Sequence, residues 1–202
     1  MNYKLYLVTE ESVPIEELLR IIEEAIKGGV TLVQLREKKT TGSSFLKKAK
    51  SVKELLTRYD VPLIINDRVD VALAVNAAGV HVGQSDLPLS AVRIIVPDSM
   101  IVGISVSTVE EAKEAEENGA DYIGVGAAFP TQSKSDAEVL PKGMLETIAN
   151  AVSIPAVAIG GINLRNIETI RNINLAGVAI VSGIMKAENP FEAAVAFRKA
   201  WD

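Results

Sequence analysis

The chain has 202 residues, of which 48% are hydrophobic and 4% aromatic, and a formal net charge of -5 at pH 7. It contains no cysteine, which excludes disulfides, thiolate metal ligands and a thiol nucleophile, and its acidic balance gives no overall basic field for nucleic acid. No apolar stretch approaches the roughly 20 residues of a membrane span, and no secretory signal is evident. We therefore expect a cytoplasmic protein with small-molecule partners, no nucleic acid and no membrane.

Short apolar runs alternate with helical patterns along the chain. The eight runs, which we predict to be strands, cover residues 4–9, 32–36, 62–67, 79–82, 100–105, 122–125, 155–159 and 177–181. The helical patterns cover residues 14–28, 43–59, 69–77, 89–95, 108–118, 144–151, 164–173 and 190–201. This alternation, with no break in composition, predicts a single α/β domain over residues 1–202, a (β/α)8 TIM barrel with parallel strands. The length is near the lower end of about 200 to more than 400 residues for such barrels.

Polar residues follow the predicted strands where they end. Examples are Arg36 and Lys38 after the second strand, Asp67 after the third and Asp86 after the fourth. Because the carboxyl ends of parallel barrel strands meet at one rim, we expect these groups to lie together. Carboxylate oxygens suit Mg²⁺, which takes one or two carboxylates and completes its shell with water and phosphate oxygens. A surface ion-pair network is the alternative.

Glycines follow the seventh and eighth predicted strands, at Gly160-Gly161 and Ser182-Gly183. Glycine lets backbone N–H groups approach an oxyanion, and barrels often bind phosphate at this place, although turn geometry alone also selects glycine. The segment after the sixth strand is longer than the usual loop of about 2 to 6 residues. Its Thr131, Ser133 and Lys134 favour a mobile loop that closes over an anion, and a surface insertion is the alternative.

The only histidine is His81, inside the strand predicted over residues 79–82. Imidazole titrates near neutrality, which makes a general base the alternative interpretation. Strand alternation is expected to point this side chain away from the rim. We therefore interpret His81 as a structural or surface histidine.

Five segments together carry a family resemblance. They are Gln34-Leu35-Arg36-Glu37-Lys38, Ile65-Asn66-Asp67-Arg68, the run from Gly79 to Pro88, Phe129-Pro130-Thr131 with Ser133-Lys134, and Ile159-Gly160-Gly161-Ile162. In this order they resemble the thiamine phosphate synthase (thiamine-phosphate pyrophosphorylase) family. The resemblance implies a transferase that joins 4-amino-2-methyl-5-hydroxymethylpyrimidine diphosphate to hydroxyethylthiazole phosphate, giving thiamine phosphate and pyrophosphate.

The resemblance also implies a role for each matching residue. The pyrimidine diphosphate would be held by Gln34, Leu35, Arg36, Glu37, Lys38, Asn66, Ser105 and Lys134. The thiazole phosphate would be held by Thr131, Gln132, Ser133, Gly161, Val181 and Ser182. One Mg²⁺ per subunit would be bound by Asp67 and Asp86, and the catalytic residues would be Arg36, Lys38, Ser105 and Lys134. A homodimer is a further expectation from the family.

The chemistry of that reaction agrees with these residues. If pyrophosphate leaves first, the pyrimidine methylene becomes a cation stabilised by the ring amino group, and negative charge grows on the leaving group. Mg²⁺, Arg36, Lys38 and Lys134 are expected where they neutralise that charge, so catalysis would rest on positioning and electrostatics without a protein nucleophile.

The chain departs from the family pattern at two places, and two other functions remain as alternatives. Ser133 stands where a threonine is usual, and Ala127-Ala128 replaces a pair that usually contains proline.

The related thiazole tautomerases carry a catalytic histidine after the fifth strand, where this chain has Ser105-Val106-Ser107. A non-catalytic barrel that senses a phosphorylated metabolite would leave the charged groups near Asp67 unexplained.

Overall fold

Eight parallel strands close into a barrel in the computed structural model, which describes residues 1–11, 13–133 and 138–202. Each strand pairs with the next along the chain, and β8 pairs with β1. The strands are β1 (Leu5–Val8), β2 (Leu32–Leu35), β3 (Leu63–Asn66), β4 (Gly79–Val82), β5 (Ile101–Val106), β6 (Tyr122–Val125), β7 (Ala156–Ile159) and β8 (Gly177–Ile180). The predicted TIM barrel is therefore confirmed, with strands at all eight predicted places.

Helices surround this barrel. Those of the described residues are α1 (Ile15–Lys27), α2 (Gly42–Thr57), α3 (Val69–Ala74), α4 (Leu89–Ile95), α5 (Val109–Glu117), α6 (Met144–Asn150), α7 (Ser182–Met185) and α8 (Pro190–Trp201), with a 3-10 helix at Ile167–Ile170. Caps fix several of their starts, because the first N–H groups of a helix lack partners inside it. The hydroxyl of Thr41 accepts from the N–H of Ser44, and that of Thr108 accepts from the N–H of Glu111. Asn189 caps α8 in the same way, with Pro190 next to it in the first turn.

The buried residues form two separate clusters on the two sides of the strands. One cluster lies between strands and helices, where α1 contributes residues such as Leu18 and Ile22 at helical spacing. The other fills the barrel interior with Tyr3, Tyr6, Val8, Leu32, Ile64, Tyr122, Val157 and Ala179. Because successive strand residues face opposite sides, alternate positions of each strand face this interior, and the last of them lie at the carboxyl-end rim.

The seventh helical segment differs from its prediction. Residues 164–173 were expected to form a full helix, yet only the 3-10 helix Ile167–Ile170 forms among them. The side chain of Asn163 accepts from the N–H of Arg165, and that of Asn166 accepts from the N–H of Asn163. Such local bonds compete with helical ones, which explains the difference. The short α7 after β8 was not predicted.

Across the described parts of the chain, none of the helices has the length and apolar character that crossing a lipid bilayer requires.

Candidate active site

Two carboxylates meet at the rim after β3 and β4. Asp67 follows β3 with a φ of 60°, a left-handed backbone that is uncommon outside glycine, and its N–H donates to the His81 carbonyl at 2.8 Å. The Asp86 carboxylate accepts from the N–H of Gly83 at 2.8 Å. Burial raises the pKa of Asp67 and the neighbouring Asp86 carboxyl raises it further, whereas a hydrogen bond from Lys38 lowers it. The two predicted metal ligands are thus brought together.

These carboxylates fit the chemistry of a magnesium site. No group of three or more His, Cys, Asp or Glu suited to a metal occurs within residues 1–11, 13–133 and 138–202. Mg²⁺ does not require such a group, because it commonly uses one or two carboxylates, with water and phosphate oxygens as its other ligands. Two close carboxyl groups, one with a raised pKa, form a place where added positive charge is favourable. The ion pair of Lys38 with Asp67 supplies part of that charge.

Arg36 lies beside this pair, on the same rim. Its N–H donates to the hydroxyl of Thr9 at 3.1 Å, which ties the end of β2 to the end of β1. Arg36 is half-buried, and its guanidinium has no hydrogen bond or ion pair with any residue that the structure describes. An arginine fork without a carboxylate partner is ready to bind a phosphate. The predicted Lys134 lies outside the described residues.

Two predicted binding residues turn their side chains away from the rim. Leu35 is fully buried in the cluster between strands and helices. The carboxylate of Glu37 is 2% exposed and pairs with the ammonium of Lys48 on α2 at 2.5 Å. Strand alternation explains the first case, and the buried ion pair explains the second. Only the main chain of these two residues remains for a ligand.

A chain of hydrogen bonds crosses the barrel interior below the rim. The Gln34 amide donates to the Tyr6 hydroxyl at 2.8 Å, and the Tyr6 and Tyr122 hydroxyls lie 3.0 Å apart. The Tyr122 hydroxyl lies 2.9 Å from Nδ1 of His81, whose Nε2 lies 2.9 Å from the Ser105 hydroxyl. These hydrogen bonds link the side chains of the five residues in one continuous path.

The position of His81 differs from its prediction. Its side chain faces the barrel interior and is buried, so it is neither on the surface nor directed away from the site. The structural half of that prediction agrees with the hydrogen bonds, but the imidazole also contacts Ser105, a predicted catalytic residue. The error arose from the inside–outside phase of β4, which the four residues of this strand do not reveal.

Asn66 also reaches the interior, at the end of β3. It is 6% exposed, and its Nδ2 is the one buried side-chain polar atom without a hydrogen-bond partner among the described residues. An unpaired buried amide is costly unless a ligand or water accepts from it. The structure therefore leaves a donor for a bound molecule where the sequence predicted a pyrimidine-binding residue.

Sequence reasoning missed two residues of this region, Tyr6 and Tyr122, which join the hydrogen-bond chain. Gln84, which lies in the sequence run that carries the family resemblance, donates to the Ser105 carbonyl at 2.7 Å. A signal for Tyr122 exists in Gly103 on the neighbouring strand, because a Cβ there would lie 2.2 Å from the tyrosine ring. Glycine at that position makes room for the aromatic ring, but a single sequence does not tell which ring needs the space.

The opposite half of the rim is built from the backbone. Gly160 and Gly161 have φ of 96° and 65°, and a Cβ on Gly161 would lie 2.4 Å from the Pro130 carbonyl oxygen. The N–H of Phe129 donates to the Gly160 carbonyl at 3.0 Å, so the segment after β6 packs on the end of β7. Close packing thus requires these glycines, in addition to any approach of a ligand.

The predicted thiazole-phosphate residues border this packed segment. The Thr131 hydroxyl accepts from the N–H of Ser133 at 3.2 Å, and Gln132 is exposed. After β8, Val181 precedes α7 and Ser182 is its first residue, also exposed. An exposed amide and an exposed hydroxyl, with the half-buried Thr131 and Ser133, therefore lie after β6 and β8.

Ser107 has a structural task at the start of α5. Its N–H and hydroxyl both donate to the carboxylate of Glu111, at 2.6 and 3.0 Å. This is the region after β5 in which the tautomerase alternative requires a histidine. The side chain present here closes the first turn of a helix, which does not favour that alternative.

Comparison with known proteins identifies the family. A family model described as thiamine monophosphate synthase matches residues 5–184. The chain belongs to the thiamine monophosphate synthase family. The family resemblance predicted from the sequence motifs is thereby confirmed.

Relatives named thiamine-phosphate synthase match the chain over nearly its whole length. The one from Methanobrevibacter smithii is 50% identical over 190 residues, which cover 94% of this chain and 91% of the relative. The one from Alkaliphilus oremlandii is 51% identical over 195 residues, covering 96% and 93%. Both identities are high enough to place this chain within the synthases of the family.

Solved structures agree with this placement. The thiamine phosphate pyrophosphorylase of Pyrococcus furiosus superimposes with a TM-score of 0.90 at 39% identity, over 99% of this chain and 96% of that one. A 3-hexulose-6-phosphate synthase superimposes with a TM-score of 0.74 at 17% identity, over 98% and 99%. The second likeness concerns the barrel fold alone.

Proposed function

We propose that the protein is the thiamine phosphate synthase that its family membership indicates, and that it works by Mg²⁺-assisted dissociative alkyl transfer. It joins 4-amino-2-methyl-5-hydroxymethylpyrimidine diphosphate to hydroxyethylthiazole phosphate and releases pyrophosphate. The observation that carries the mechanism is the meeting of two carboxylates with Lys38 at one rim, next to Arg36, whose guanidinium has no partner among the described residues. That arrangement suits a diphosphate that leaves with its charge neutralised.

The pyrimidine diphosphate would bind on the half of the rim formed by β2 to β5. Gln34, Asn66 and Ser105 would contact the pyrimidine, and Asn66 has a buried N–H group to donate. Arg36 and Lys38 would bind the diphosphate, together with Lys134. Leu35 and Glu37 would take part through their main chain, because their side chains point elsewhere.

One Mg²⁺ per subunit would be held by Asp67 and Asp86. When bound, the ion supplies positive charge that stabilises the departing pyrophosphate. Lys38, which pairs with Asp67, would contribute its own positive charge to the leaving diphosphate. The two carboxylates therefore serve to collect cations around the leaving group.

The bond changes need no proton transfer and no protein nucleophile. The bond between the pyrimidine methylene and the diphosphate oxygen breaks first, and its electron pair leaves with pyrophosphate. The ring amino group stabilises the resulting cation, and the thiazole nitrogen then donates its lone pair to form the new carbon–nitrogen bond. Arg36, Lys38 and Lys134 would hold the leaving group, and the rest of the site would align the two rings.

The thiazole phosphate would bind on the half of the rim formed by β6 to β8. Its phosphate would meet the backbone N–H groups near Gly161 and at the start of α7, where Val181 and Ser182 lie. Thr131, Gln132 and Ser133 would contact it from the other side. The support for this placement is the set of polar side chains after β6 and β8, of which Gln132 and Ser182 are exposed.

A cytoplasmic location and a homodimer are also part of the proposal. Both are the expectation for a biosynthetic enzyme of this family that acts on charged small molecules. Sedimentation of the purified protein would test the dimer.

The mechanism is tested by pyrophosphate release from both substrates, with and without Mg²⁺, in wild type and Asp67→Ala. We expect release that requires both substrates and the metal, and that falls at least about 100-fold in the variant, since removal of a charge-stabilising group commonly costs this much. Asp98→Ala, which alters an exposed turn, is the control and should match wild type. Wild-type release that is independent of metal would contradict the role given to Asp67 and Asp86. Exchange of a thiazole-phosphate proton without release would indicate the tautomerase instead, and binding without either signal a sensor.

A further inference from the structure

The buried path from Gln34 to Ser105 joins two residues that the proposed function places against the pyrimidine. Tyr6 and Tyr122 are 2% and 0% exposed, and His81 is 8% exposed. The three residues between the ends have no expected contact with substrate. We call Tyr6, Tyr122 and His81 the relay.

The direction of the hydrogen bonds in the relay follows from its Gln34 end. The Gln34 amide faces Tyr6 with Nε2, which can only donate, so the Tyr6 oxygen accepts. Burial raises the pKa of both Tyr6 and Tyr122, so each hydroxyl keeps its single proton. If Tyr122 donated to Tyr6, the Tyr6 hydrogen would have no acceptor among the described residues. The proton of Tyr6 therefore points to Tyr122.

The same assignment of donors and acceptors determines the tautomer of His81. With its oxygen accepting from Tyr6, Tyr122 donates to Nδ1 of His81 at 2.9 Å. A neutral imidazole that accepts at Nδ1 carries its proton on Nε2, which then donates to the Ser105 oxygen at 2.9 Å. The hydrogen of the Ser105 hydroxyl is thereby directed away from the histidine. Ser105 is left as a donor, and Gln34 is left with Oε1 as an acceptor that no described residue uses.

The surrounding strands are shaped to hold the relay. A Cβ on Gly103 would lie 2.2 Å from the Tyr122 ring, and one on Gly124 would lie 3.2 Å from Cε1 of His81. The Tyr6 and Tyr122 ring centroids are 6.2 Å apart with an edge-on geometry, and those of His81 and Tyr122 are 5.4 Å apart. Two glycines on neighbouring strands thus give the rings a fixed place.

We infer that His81 is a positioning residue, which with Tyr122 and Tyr6 couples Ser105 to Gln34, so that Ser105 is a hydrogen-bond donor and Gln34 an acceptor toward the substrate ring. This inference rests on the proposed placement of the pyrimidine. An aminopyrimidine offers the complementary edge, since its amino group donates and its adjacent ring nitrogen accepts. A pyrimidinone, with an oxo group and a ring N–H, offers the reverse pattern and leaves both protein groups mismatched. The relay therefore selects the amino form of the substrate.

The test compares Tyr122→Phe with Tyr3→Phe. Both changes remove one hydroxyl from the same ring cluster, since the Tyr3 and Tyr122 centroids lie 4.9 Å apart, but the Tyr3 hydroxyl is not part of the path. The measurements are kcat and KM for each substrate, inhibition by the 4-oxo analogue of the pyrimidine diphosphate, and the midpoint of thermal unfolding. Ser105→Ala is assayed in parallel, to test the placement of the pyrimidine separately.

We expect Tyr122→Phe to lower kcat/KM for the pyrimidine diphosphate about three- to tenfold, the equivalent of one net hydrogen bond. Discrimination against the 4-oxo analogue should fall by a similar factor, because His81 is then free to take the other tautomer. The KM for thiazole phosphate should stay at the wild-type value, and Tyr3→Phe should leave discrimination intact.

Three results would overturn the inference. If Ser105→Ala lowers kcat/KM for the pyrimidine diphosphate but Tyr122→Phe behaves like Tyr3→Phe, the relay has no such role and the proposed function stands. If Ser105→Ala has no effect either, the pyrimidine is not bound at Ser105, and the relay falls with that placement. If Tyr122→Phe lowers kcat/KM for both substrates together with the midpoint of thermal unfolding, the tyrosine serves only the fold.

Discussion

The two halves of the barrel rim are built by different means. On the half from β2 to β5, charged and polar side chains such as Arg36, Asp67 and Ser105 present the chemistry, and hydrogen bonds or an ion pair hold them in place. On the half from β6 to β8, the backbone supplies most of the site, shaped by glycines at positive φ and by the packing of residues 126–130 on the end of β7.

This difference separates the two tasks of the proposed reaction. The first half has to neutralise charge that appears only as the diphosphate leaves, and this requires ionised groups. The second half has only to hold a phosphate and present a ring, for which backbone N–H groups suffice. On the half from β2 to β5, substitutions that remove a charge should therefore lower activity most. On the half from β6 to β8, substitutions that change the shape of the backbone should do so.

The largest effect is expected for Arg36→Ala. Its guanidinium has no partner in the described parts of the chain, so its removal breaks no internal ion pair while it takes a cation from the leaving group. We expect kcat/KM for the pyrimidine diphosphate to fall about 100- to 1,000-fold, with little change in thermal stability. Steady-state kinetics and a thermal unfolding curve measure both quantities.

Two further variants sharpen that prediction. Arg36→Lys should recover only part of the activity, because an ammonium lacks the planar fork that binds two phosphate oxygens at once. Arg20→Ala removes an equally charged, exposed residue on α1 and should match wild type. An equal loss in Arg20→Ala would show that overall charge, rather than a specific contact, matters.

A smaller effect is expected for Gly161→Ala, and it should concern thiazole phosphate and stability rather than the pyrimidine diphosphate. A side chain there is strained at a φ of 65° and would press a Cβ against the Pro130 carbonyl, 2.4 Å away, so the backbone has to shift. We expect the KM for thiazole phosphate to rise on the order of tenfold while the KM for the pyrimidine diphosphate stays near wild type. The free energy of unfolding should fall by more than the strain alone, which is about 1–2 kcal/mol.

Gly143→Ala is the matched control. Gly143 has a φ of 84°, yet a Cβ there would meet no atom within 4 Å. This variant should lose only the strain, about 1–2 kcal/mol, and keep both KM values. A Gly161→Ala protein with the same stability as Gly143→Ala and an unchanged thiazole KM would contradict the view that backbone shape forms the second half.

The sequence predicted these two halves to different depths. The barrel and the polar strand ends were predictable, because alternating apolar runs and helices have few packed solutions and carboxyl ends share one rim. The grouping of Asp67 with Asp86 followed from that topology. The contact of Phe129 and Pro130 with Gly160 and Gly161 did not, since it depends on how a long loop folds back.

Side-chain direction was the other limit. The phase of β4 decides whether His81 faces inward, and because both faces of this strand are buried, its one polar residue does not mark a solvent side. Glu37 was read as a ligand of the rim, yet a lysine eleven positions later, Lys48, captures its carboxylate. Both outcomes depend on contacts between elements, which local pattern does not contain.

The smallest effect is expected for Ser133→Thr, at the border of the two halves. The contact seen at Ser133 is the hydrogen bond from its N–H to the Thr131 hydroxyl at 3.2 Å, and a threonine at position 133 retains it. Threonine also keeps the side-chain hydroxyl and adds only a methyl group. We expect kcat/KM for thiazole phosphate to change less than about threefold, within the effect of a surface substitution. Thr131→Val keeps the shape of the side chain but removes the hydrogen-bond acceptor. It should lower kcat/KM for thiazole phosphate about three- to tenfold, the value of one hydrogen bond. The two variants separate the Thr131 hydroxyl, which accepts a backbone hydrogen bond, from the Ser133 hydroxyl, for which no such contact is seen in the described part of the chain. A larger effect of Ser133→Thr than of Thr131→Val would contradict this assignment.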